Sequence, residues 1–385
     1  MYLEDGVVPR SSRDDNHNRL GEDASRYLVV RPGDLVFNKL RTWQGGLGVS
    51  HHEGIVSPAY YVCRPRSSIE PRFLHYLLRS RQYLAELTRV SKFMPPSQFD
   101  ILWEDLRNIS IVYPSLIEQQ AIADYLDIET ARVDALITEK YRLIDLVRER
   151  AERVVDGIAL PHGRPSERLT PSDLPSEGEV PDHWRIEALG TILRRITYGF
   201  TNPMPTSDVG PLMLTANDIG DGLIHHGTAR RTTQDAFDSL LTSKSRPKRG
   251  DILLTKDGTL GRVALFDGPD ACVNQSVAVL TPDRTRVLPE LLAELLAVPA
   301  YREALIFEAG GTTIKHLYIT RVVKQKVALP PISEQSALAA ELRGARSTHS
   351  EAAMTIEASI RVLREHRQAL ITAVVAGDRR NSGVL

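Results

Sequence analysis

Residues 114–126 read PSLIEQQAIADYL, and residues 330–342 read PPISEQSALAAEL, 216 positions further on. The same offset joins Glu118-Gln119 to Glu334-Gln335 and Arg148-Glu149 to Arg364-Glu365. Upstream, RPGDLVFNKLRT (31–42) aligns with KRGDILLTKDGT (248–259), where Asp34 and Asp251 stand 217 apart after a slip of one residue. A spacing kept across independent segments is a duplication, and it restricts the chain to two units of like fold. The 385 residues suit two or three domains.

Each copy has one internal order: a β-rich stretch with glycine turns, a short helical stretch, a loop, a Pro-bounded strand and a long helix. In the first copy the strand candidates are Asp34–Lys39 and Ala59–Cys63, Gly45-Gly46 marks a turn, and 71–87 has helical spacing. In the second copy 252–256, 276–280 and 289–305 repeat this.

After Pro114 the pattern predicts one helix to about Leu160. Val133, Ile137, Ile144, Val147, Ala151, Val154 and Ile158 fall on alternating steps of three and four, with Lys140 as the polar intruder. The matching helix runs from about Ser333 to Val375 through Ile356, Ile360, Leu363, Leu370 and Val374, broken by His349 and Arg367. Two such seams in one chain most simply bury each other. Between the copies, 162–184 is rich in Pro, Ser, Gly and acidic residues and reads as a linker.

The formal net charge of -1 gives no sign of a polyanionic partner, so a nucleic-acid binder of this composition must gather its basic residues on one surface. Two cysteines in so long a chain argue against a disulfide scaffold or a structural zinc site. No apolar run approaches the roughly 20 residues of a membrane span. Polar and acidic residues follow Met1, and the expected location is cytoplasmic.

Six stretches, in this order and spacing, resemble the specificity subunit of type I restriction-modification systems: VPDHWRIEALGTI (180–192), GDILLTKDGTLGRVAL (250–265), CVNQSVAVL (272–280), GGTTIKHL (310–317), LPPISEQ (329–335) and LREHRQALITAVVAG (363–377). The resemblance implies an α/β fold: two internally repeated target recognition domains separated by two long helices packed as an antiparallel coiled coil, with pseudo-two-fold symmetry. It implies recognition domains at 1–113 and 180–329, spacer helices at 114–161 and 330–377, a linker at 162–179 and a tail at 378–385. It further implies a non-catalytic adaptor that reads a bipartite target in double-stranded DNA. Two methyltransferase subunits and motor-nuclease restriction subunits would be its partners. S-adenosylmethionine and ATP with magnesium would then sit on those partners and no cofactor on this chain.

Reading base edges takes Arg, Lys, Asn, Gln, Ser or Thr on loops, and such residues cluster in the polar glycine loops. In the second copy these are Lys256, Thr259 and Arg262 in TKDGTLGR, Asn274 and Gln275 in VNQS, and Thr312, Thr313, Lys315 and His316 in GGTTIKH. Tyr198, Thr201 and Asn202 in TYGFTN and Asn217 in TAND join them. The first copy offers Lys39, Arg41, Thr42 and Gln44 in NKLRTWQGG, Ser57 and Tyr60 in VSPAYY, and Lys92, Ser97 and Gln98 in SKFMPPSQ. Lys39 and Lys256 hold matching places and form the paired candidate for phosphate contact. For each of these residues the plain alternative is a solvated loop side chain. Glu118-Gln119 and Glu334-Gln335 each follow a Pro and open a helix, so first-turn capping and dipole compensation account for the acid of each pair.

The copies are unequal. Some 40 more residues separate Val180 from Asp251 than precede Asp34, so the first copy has no counterpart of VPDHWRIEALGTILRRITYGFTNP. A late start codon, a true shortening and a piece supplied elsewhere all account for this. Under a true shortening, DNA recognition by the first domain would be impaired.

An enzyme is the first rival. An amino-methyltransferase would show Asn or Asp before Pro-Pro-aromatic, which neither NPMP at 202 nor PPSQF at 95 supplies, and no Gly-Lys-Ser/Thr phosphate loop occurs. Pro181-Asp182 with Glu187 lacks the lysine a nuclease pattern needs. The paired histidines at 51, 52, 225 and 226 have no acidic or cysteine neighbours suited to a metal. The second rival is a coiled-coil scaffold that binds only protein, which leaves the duplicated polar loops without a purpose.

Overall fold

A computed structural model describes residues 6–9, 25–94, 98–160, 168–172, 174, 179–307 and 316–377. The chain divides into two compact units, 1–143 with 356–385, and 144–355. Each unit therefore holds the start of one long helix and the end of the other.

Unit 1 opens with β1 (Leu28–Val30), β2 (Leu35–Asn38), β3 (Leu47–Val49), β4 (Gly54–Val56) and β5 (Tyr60–Cys63). Helices α1 (Pro71–Arg79) and α2 (Arg81–Val90), the hairpin of β6 (Lys92–Met94) and β7 (Gln98–Asp100), and the turn α3 (Trp103–Arg107) lead into α4 (Leu116–Ala159). Strands β3-β2-β5 form an antiparallel sheet, and β1 pairs with β4.

Unit 2 carries β8 (Leu169–Pro171), β9 (Glu179–Pro181), β10 (Arg185–Ala188), α5 (Leu189–Ile192), β11 (Leu193–Tyr198), β12 (Ser207–Leu214), β13 (Arg230–Arg231) and α6 (Gln234–Leu240). Then follow β14 (Ile252–Thr255), β15 (Val263–Leu265), β16 (Ala271–Val273), β17 (Val277–Pro282), α7 (Pro289–Ala297), α8 (Pro299–Phe307), α9 (Ile319–Val322), β18 (Lys326–Leu329) and α10 (Ile332–Val375). Its main sheet has the order β11-β17-β14-β15, with β12 between β13 and β16 and β10 paired to β18.

The duplication holds at the level of single hydrogen bonds. At the bend into β2, Asp34 Oδ2 accepts the Arg31 N–H at 2.9 Å, and at the bend into β14 Asp251 Oδ2 accepts the Lys248 N–H at 2.8 Å. The glycine before each aspartate has a left-handed φ, 89° at Gly33 and 91° at Gly250, which side-chain-bearing residues rarely adopt. Both aspartates are buried. Asp34 is matched by Arg64 at 3.0 Å, and Asp251 accepts the Thr281 hydroxyl at 2.7 Å. Burial pushes the Asp34 carboxyl up, but the bonds from Arg64 and the Arg31 N–H hold it below its usual value.

The repeated Glu-Gln pair divides its work. Glu118 and Ser115 cap α4 reciprocally, Ser115 N–H donating to Glu118 Oε2 at 3.1 Å. The glutamines are fully buried instead. Gln119 accepts the Glu70 N–H at 2.9 Å and donates to the Ser68 and Pro114 carbonyls. Gln335 accepts the Leu288 N–H at 2.7 Å and donates to the Arg286 and Pro330 carbonyls, both at 3.1 Å. Each amide ties the start of its long helix to the loop entering α1 or α7. The capping expectation, which concerned the acid, holds at Glu118, whereas the glutamine one position further round the helix faces the core.

At 44 residues each, α4 and α10 are about 66 Å long. In unit 1, Ile122, Ala123 and Leu126 of α4 share a core with Leu370, Ile371 and Val374 of α10. In unit 2, Val155 and Ala159 of α4 share one with Leu338, Ala339 and Leu342. The segments are antiparallel in both. Arg367, expected to break the seam, is accommodated there by a two-pronged pair with Asp134 at 2.9 and 3.1 Å. Val154, predicted for the seam, is exposed, and Val155 is buried in its place, where it packs in the core of unit 2.

His75 in unit 1 lies against Gly48, and its Nδ1 accepts the Val49 N–H at 3.3 Å. Loss of water around the ring, then Arg79 and Arg367 nearby, push its pKa down to about 3. A depressed histidine pKa means the unfolded chain binds the proton first. Unit 1 is therefore expected to lose stability as pH falls from about 6.5 towards 3, by on the order of 1.4 kcal/mol per pH unit. Acid melting curves of the chain and of His75→Gln check this, the substitution flattening the slope over that window.

Candidate nucleic-acid interface

At one end of the main sheet of unit 2 the polypeptide leaves β11 and β14 and enters β17 through short loops, and main-chain bonds lock those loops together. Lys256 N–H donates to the Ser276 carbonyl at 2.9 Å, and its own carbonyl accepts the Leu317 N–H at 2.9 Å. Gln275 N–H donates to the Phe200 carbonyl at 2.8 Å, and Phe200 N–H to that of Val273 at 3.0 Å. Gly199 is required here: a Cβ would lie 1.7 Å from the Val273 oxygen.

On this frame the exposed Tyr198 ring has two ammonium groups over it, Lys244 Nζ and Lys256 Nζ, each 5.8 Å from the ring centroid. Lys256 Nζ is also 2.7 Å from Asp257 Oδ2, and His316 Nδ1 is 2.6 Å from Asp257 Oδ1. Burial raises the Asp257 carboxyl, but the bonds from His316 and Lys256 outweigh it and hold the pKa below the usual carboxylate range. The carboxylate thus fixes a lysine and a histidine side by side. Lys244 is placed by the Thr197 hydroxyl, which donates to its carbonyl at 2.9 Å, and Arg195 Nη1 donates to the Ser243 carbonyl at 3.1 Å.

Of the residues singled out in the second copy, the structure brings Tyr198, Lys256, Asn274, Gln275 and His316 together. Asn274 Oδ1 accepts from both the N–H and the hydroxyl of Ser276, so its carbonyl is committed to the loop. Asn217 is exposed on a turn closed by Thr215 and Asp218, whose neighbour Ala216 donates to Ser276 Oγ at 3.0 Å. Thr201 is exposed. Thr259 and Arg262 close the Lys256 loop through Thr255, whose Oγ1 donates to the Thr259 carbonyl and accepts the Arg262 N–H. Thr312, Thr313 and Lys315 lie outside the described residues. Lys244 and Asp257 were missed. The signal for Lys244 was the basic run KSRPKR (244–249), but Arg246 in that run is spent on the Phe237, Asp238 and Leu241 carbonyls, so composition alone does not say which of its cations is available.

In unit 1, Lys39 makes the main-chain bonds of Lys256, to the Ala59 carbonyl and from the Ile101 N–H. Its ammonium differs. It donates to the Pro58 carbonyl at 2.7 Å and lies 4.5 Å from the Tyr61 ring centroid. Thr42 is fully buried and donates to the Asn38 carbonyl at 2.6 Å, which makes it part of the turn and leaves it no surface for DNA. Arg41 and Gln44 are exposed on that turn, and Ser57 lies beside Tyr60, its carbonyl accepting the Tyr60 N–H at 3.1 Å. Tyr60 Oη accepts from Asn38, and burial raises its pKa. Lys92 is 3.9 Å from Asp105, and the main chain of Gln98 pairs with Met94 across the hairpin. A tilted ring contact of Trp43 with Phe99, at 4.7 Å between centroids, joins that hairpin to the Arg41–Gln44 turn.

A two-unit α/β protein with cation-and-aromatic loops at a sheet end and paired long helices is the class defined so far. Residues 231–343 match the type I restriction modification DNA specificity domain. A putative type I restriction enzyme specificity subunit of Haemophilus influenzae is 35% identical over 104 residues, 27% of this chain and 26% of that protein. The EcoKI specificity subunit of Escherichia coli is 24% identical over 328 residues, 80% of this chain and 66% of that protein. These matched stretches thus span between about a quarter and two-thirds of the relatives' length. A chain in a solved structure concerned with complex assembly and conformational transition of the type I R-M system shares the fold, with a TM-score of 0.70 at 18% identity, covering 92% of this chain and 84% of that one. Residues 231–343 thus match the type I DNA specificity domain, and stretches of the chain are similar to type I specificity subunits. Among its described residues no helix is long and apolar enough to cross a membrane.

Proposed function

We propose that this chain is the DNA-reading adaptor of a type I restriction-modification complex. Each unit reads one half of a bipartite duplex target, and the two long helices set the unread spacer. Two methyltransferase subunits dock on the chain and carry S-adenosylmethionine, while restriction subunits, where present, bring ATP, magnesium and nuclease activity. The chain itself is non-catalytic and works in the cytoplasm.

The observation that carries this reading is Tyr198 with Lys244 and Lys256 over its ring and His316 alongside, on loops locked at the main chain. Side chains so placed meet a polyanion without further ordering. Fluorescence anisotropy with duplex DNA across a salt series tests it. Log affinity is expected to fall with log salt at a slope of about -3 or steeper, at about -0.9 per phosphate contacted. A flat dependence favours a scaffold that binds only protein.

A further inference from the structure

Lys256 stands on the hairpin loop 256–262, and the support beneath that loop differs between the copies. Gly261 has a left-handed φ of 77°, and a Cβ there would lie 2.8 Å from Cγ of Arg302 on α8. In the first copy Gly45, with φ 88°, is backed by Leu84 on α2, 3.7 Å from where its Cβ would fall. Arg302 and Leu84 hold matching places, since each follows a tyrosine whose hydroxyl accepts a main-chain N–H at 3.0 Å, from Ala328 at Tyr301 and from Val112 at Tyr83. Leucine is enough for packing, so the guanidinium of Arg302 has other work.

That work is at the turn Asp221-Gly222. Arg302 Nη1 is 3.3 Å from Asp221 Oδ1, and its Nη2 donates to the Ala297 carbonyl at 3.0 Å. A second guanidinium meets the same turn. Arg346 Nη2 of α10 donates to the Asp221 carbonyl at 3.4 Å and lies where a Cβ on Gly222 would fall, while its Nη1 is 3.0 Å from the buried Glu294 of α7. All of these residues belong to unit 2.

The turn in its own right is bonded towards both loops of the candidate interface. Gly222 N–H donates to the Val263 carbonyl at 2.8 Å, at the foot of the Lys256 hairpin. His225 N–H donates to the Asp218 carbonyl at 2.8 Å, Asp218 Oδ2 accepts the Thr215 N–H at 2.8 Å, and the next residue, Ala216, donates to Ser276 Oγ. Ser276 is also the residue whose carbonyl fixes the Lys256 main chain.

We propose that Arg302 and Arg346 are positioning residues for DNA reading: through the Asp221-Gly222 turn they set the Lys256 hairpin and the Ser276 loop against α8 and α10, and they do not themselves meet DNA. This role rests on the DNA-reading function proposed above. It makes the long helix α10 one of the elements from which the loops take their placement.

Charge and placement predict opposite signs at Asp221. The residue is exposed, and Asp221→Asn removes a negative charge, which by charge alone tightens binding to a polyanion. Loss of placement weakens it. Fluorescence anisotropy with duplex DNA is expected to show Asp221→Asn, Arg302→Met and Arg346→Lys each weakened about 3–30-fold, with Asp221→Asn and Arg302→Met together no weaker than about the worse of the two alone. Methionine keeps a stem under Gly261, and lysine keeps a cation beside Glu294. In the same variants, amide exchange at Gly222, Gly261 and Arg262 is expected to quicken about tenfold, while Leu253 and Val279 in the main sheet exchange as in the native chain. Asp221→Asn binding as tightly as the native chain, or more tightly, overturns the proposal. Equal quickening in the main sheet overturns it too, since the arginines would then stabilise the unit as a whole. A native chain that binds duplex no better than its Lys244→Ala, Lys256→Ala variant removes the DNA-reading function itself, and the positioning role with it.

Discussion

Gln335→Leu is expected to lower the melting temperature of unit 2 by about 6–12 °C. The side chain is fully buried and makes three hydrogen bonds. Leucine keeps most of the volume but strands the Leu288 N–H and the Arg286 and Pro330 carbonyls, and one to three kcal/mol is typical for each buried group left unpaired. Partial relaxation brings the sum to about 3 kcal/mol, and each kcal/mol shifts the melting point of a unit this size by about 2–4 °C. Gln335→Glu restores the acceptor but not the donors and faces two carbonyls with a carboxylate, so it is expected to be no better than leucine. Gln119→Leu should do the same to unit 1. Differential scanning calorimetry, which separates the two units if they melt apart, checks all three.

The second large effect falls on the loops. Replacing Lys244 and Lys256 together by alanine is expected to weaken duplex binding about 10–100-fold and to flatten the log-log salt slope by about 1.8, the contribution of two phosphate contacts. Loss of affinity with an unchanged slope would mean that the lysines hold the loop and do not meet DNA. Lys39→Ala is the internal comparison. Its ammonium is already engaged by the Pro58 carbonyl and the Tyr61 ring, so a much smaller change is expected.

That contrast also marks where the sequence stops being legible. The duplication, the alternation of strand-rich and helical stretches and the mutual burial of the two long seams rest on periodicity and offset, which a single sequence displays; the antiparallel sense of the helices entered only with the family resemblance. The matching places of Lys39 and Lys256 are equally visible, and their main-chain bonds agree. What their head groups do is decided by the next residue, Leu40 in one copy and Asp257 in the other. Only a carboxylate can hold the lysine beside His316, and His316 is 59 positions away, beyond any local pattern. Thr42 shows the converse: a polar residue after a strand reads as a loop contact, yet its hydroxyl closes the turn from inside. The glutamines of the repeated motif were in plain view, but a helix-opening Glu-Gln looks the same whether one or both residues cap.

Single-molecule methylation mapping of the source genome, with this gene intact, deleted and restored, tests the central claim most directly. The account predicts that one split motif, two short half-sites around an unread spacer, loses methylation on deletion and regains it on restoration. An unchanged methylome in cells shown to contain the protein would contradict it.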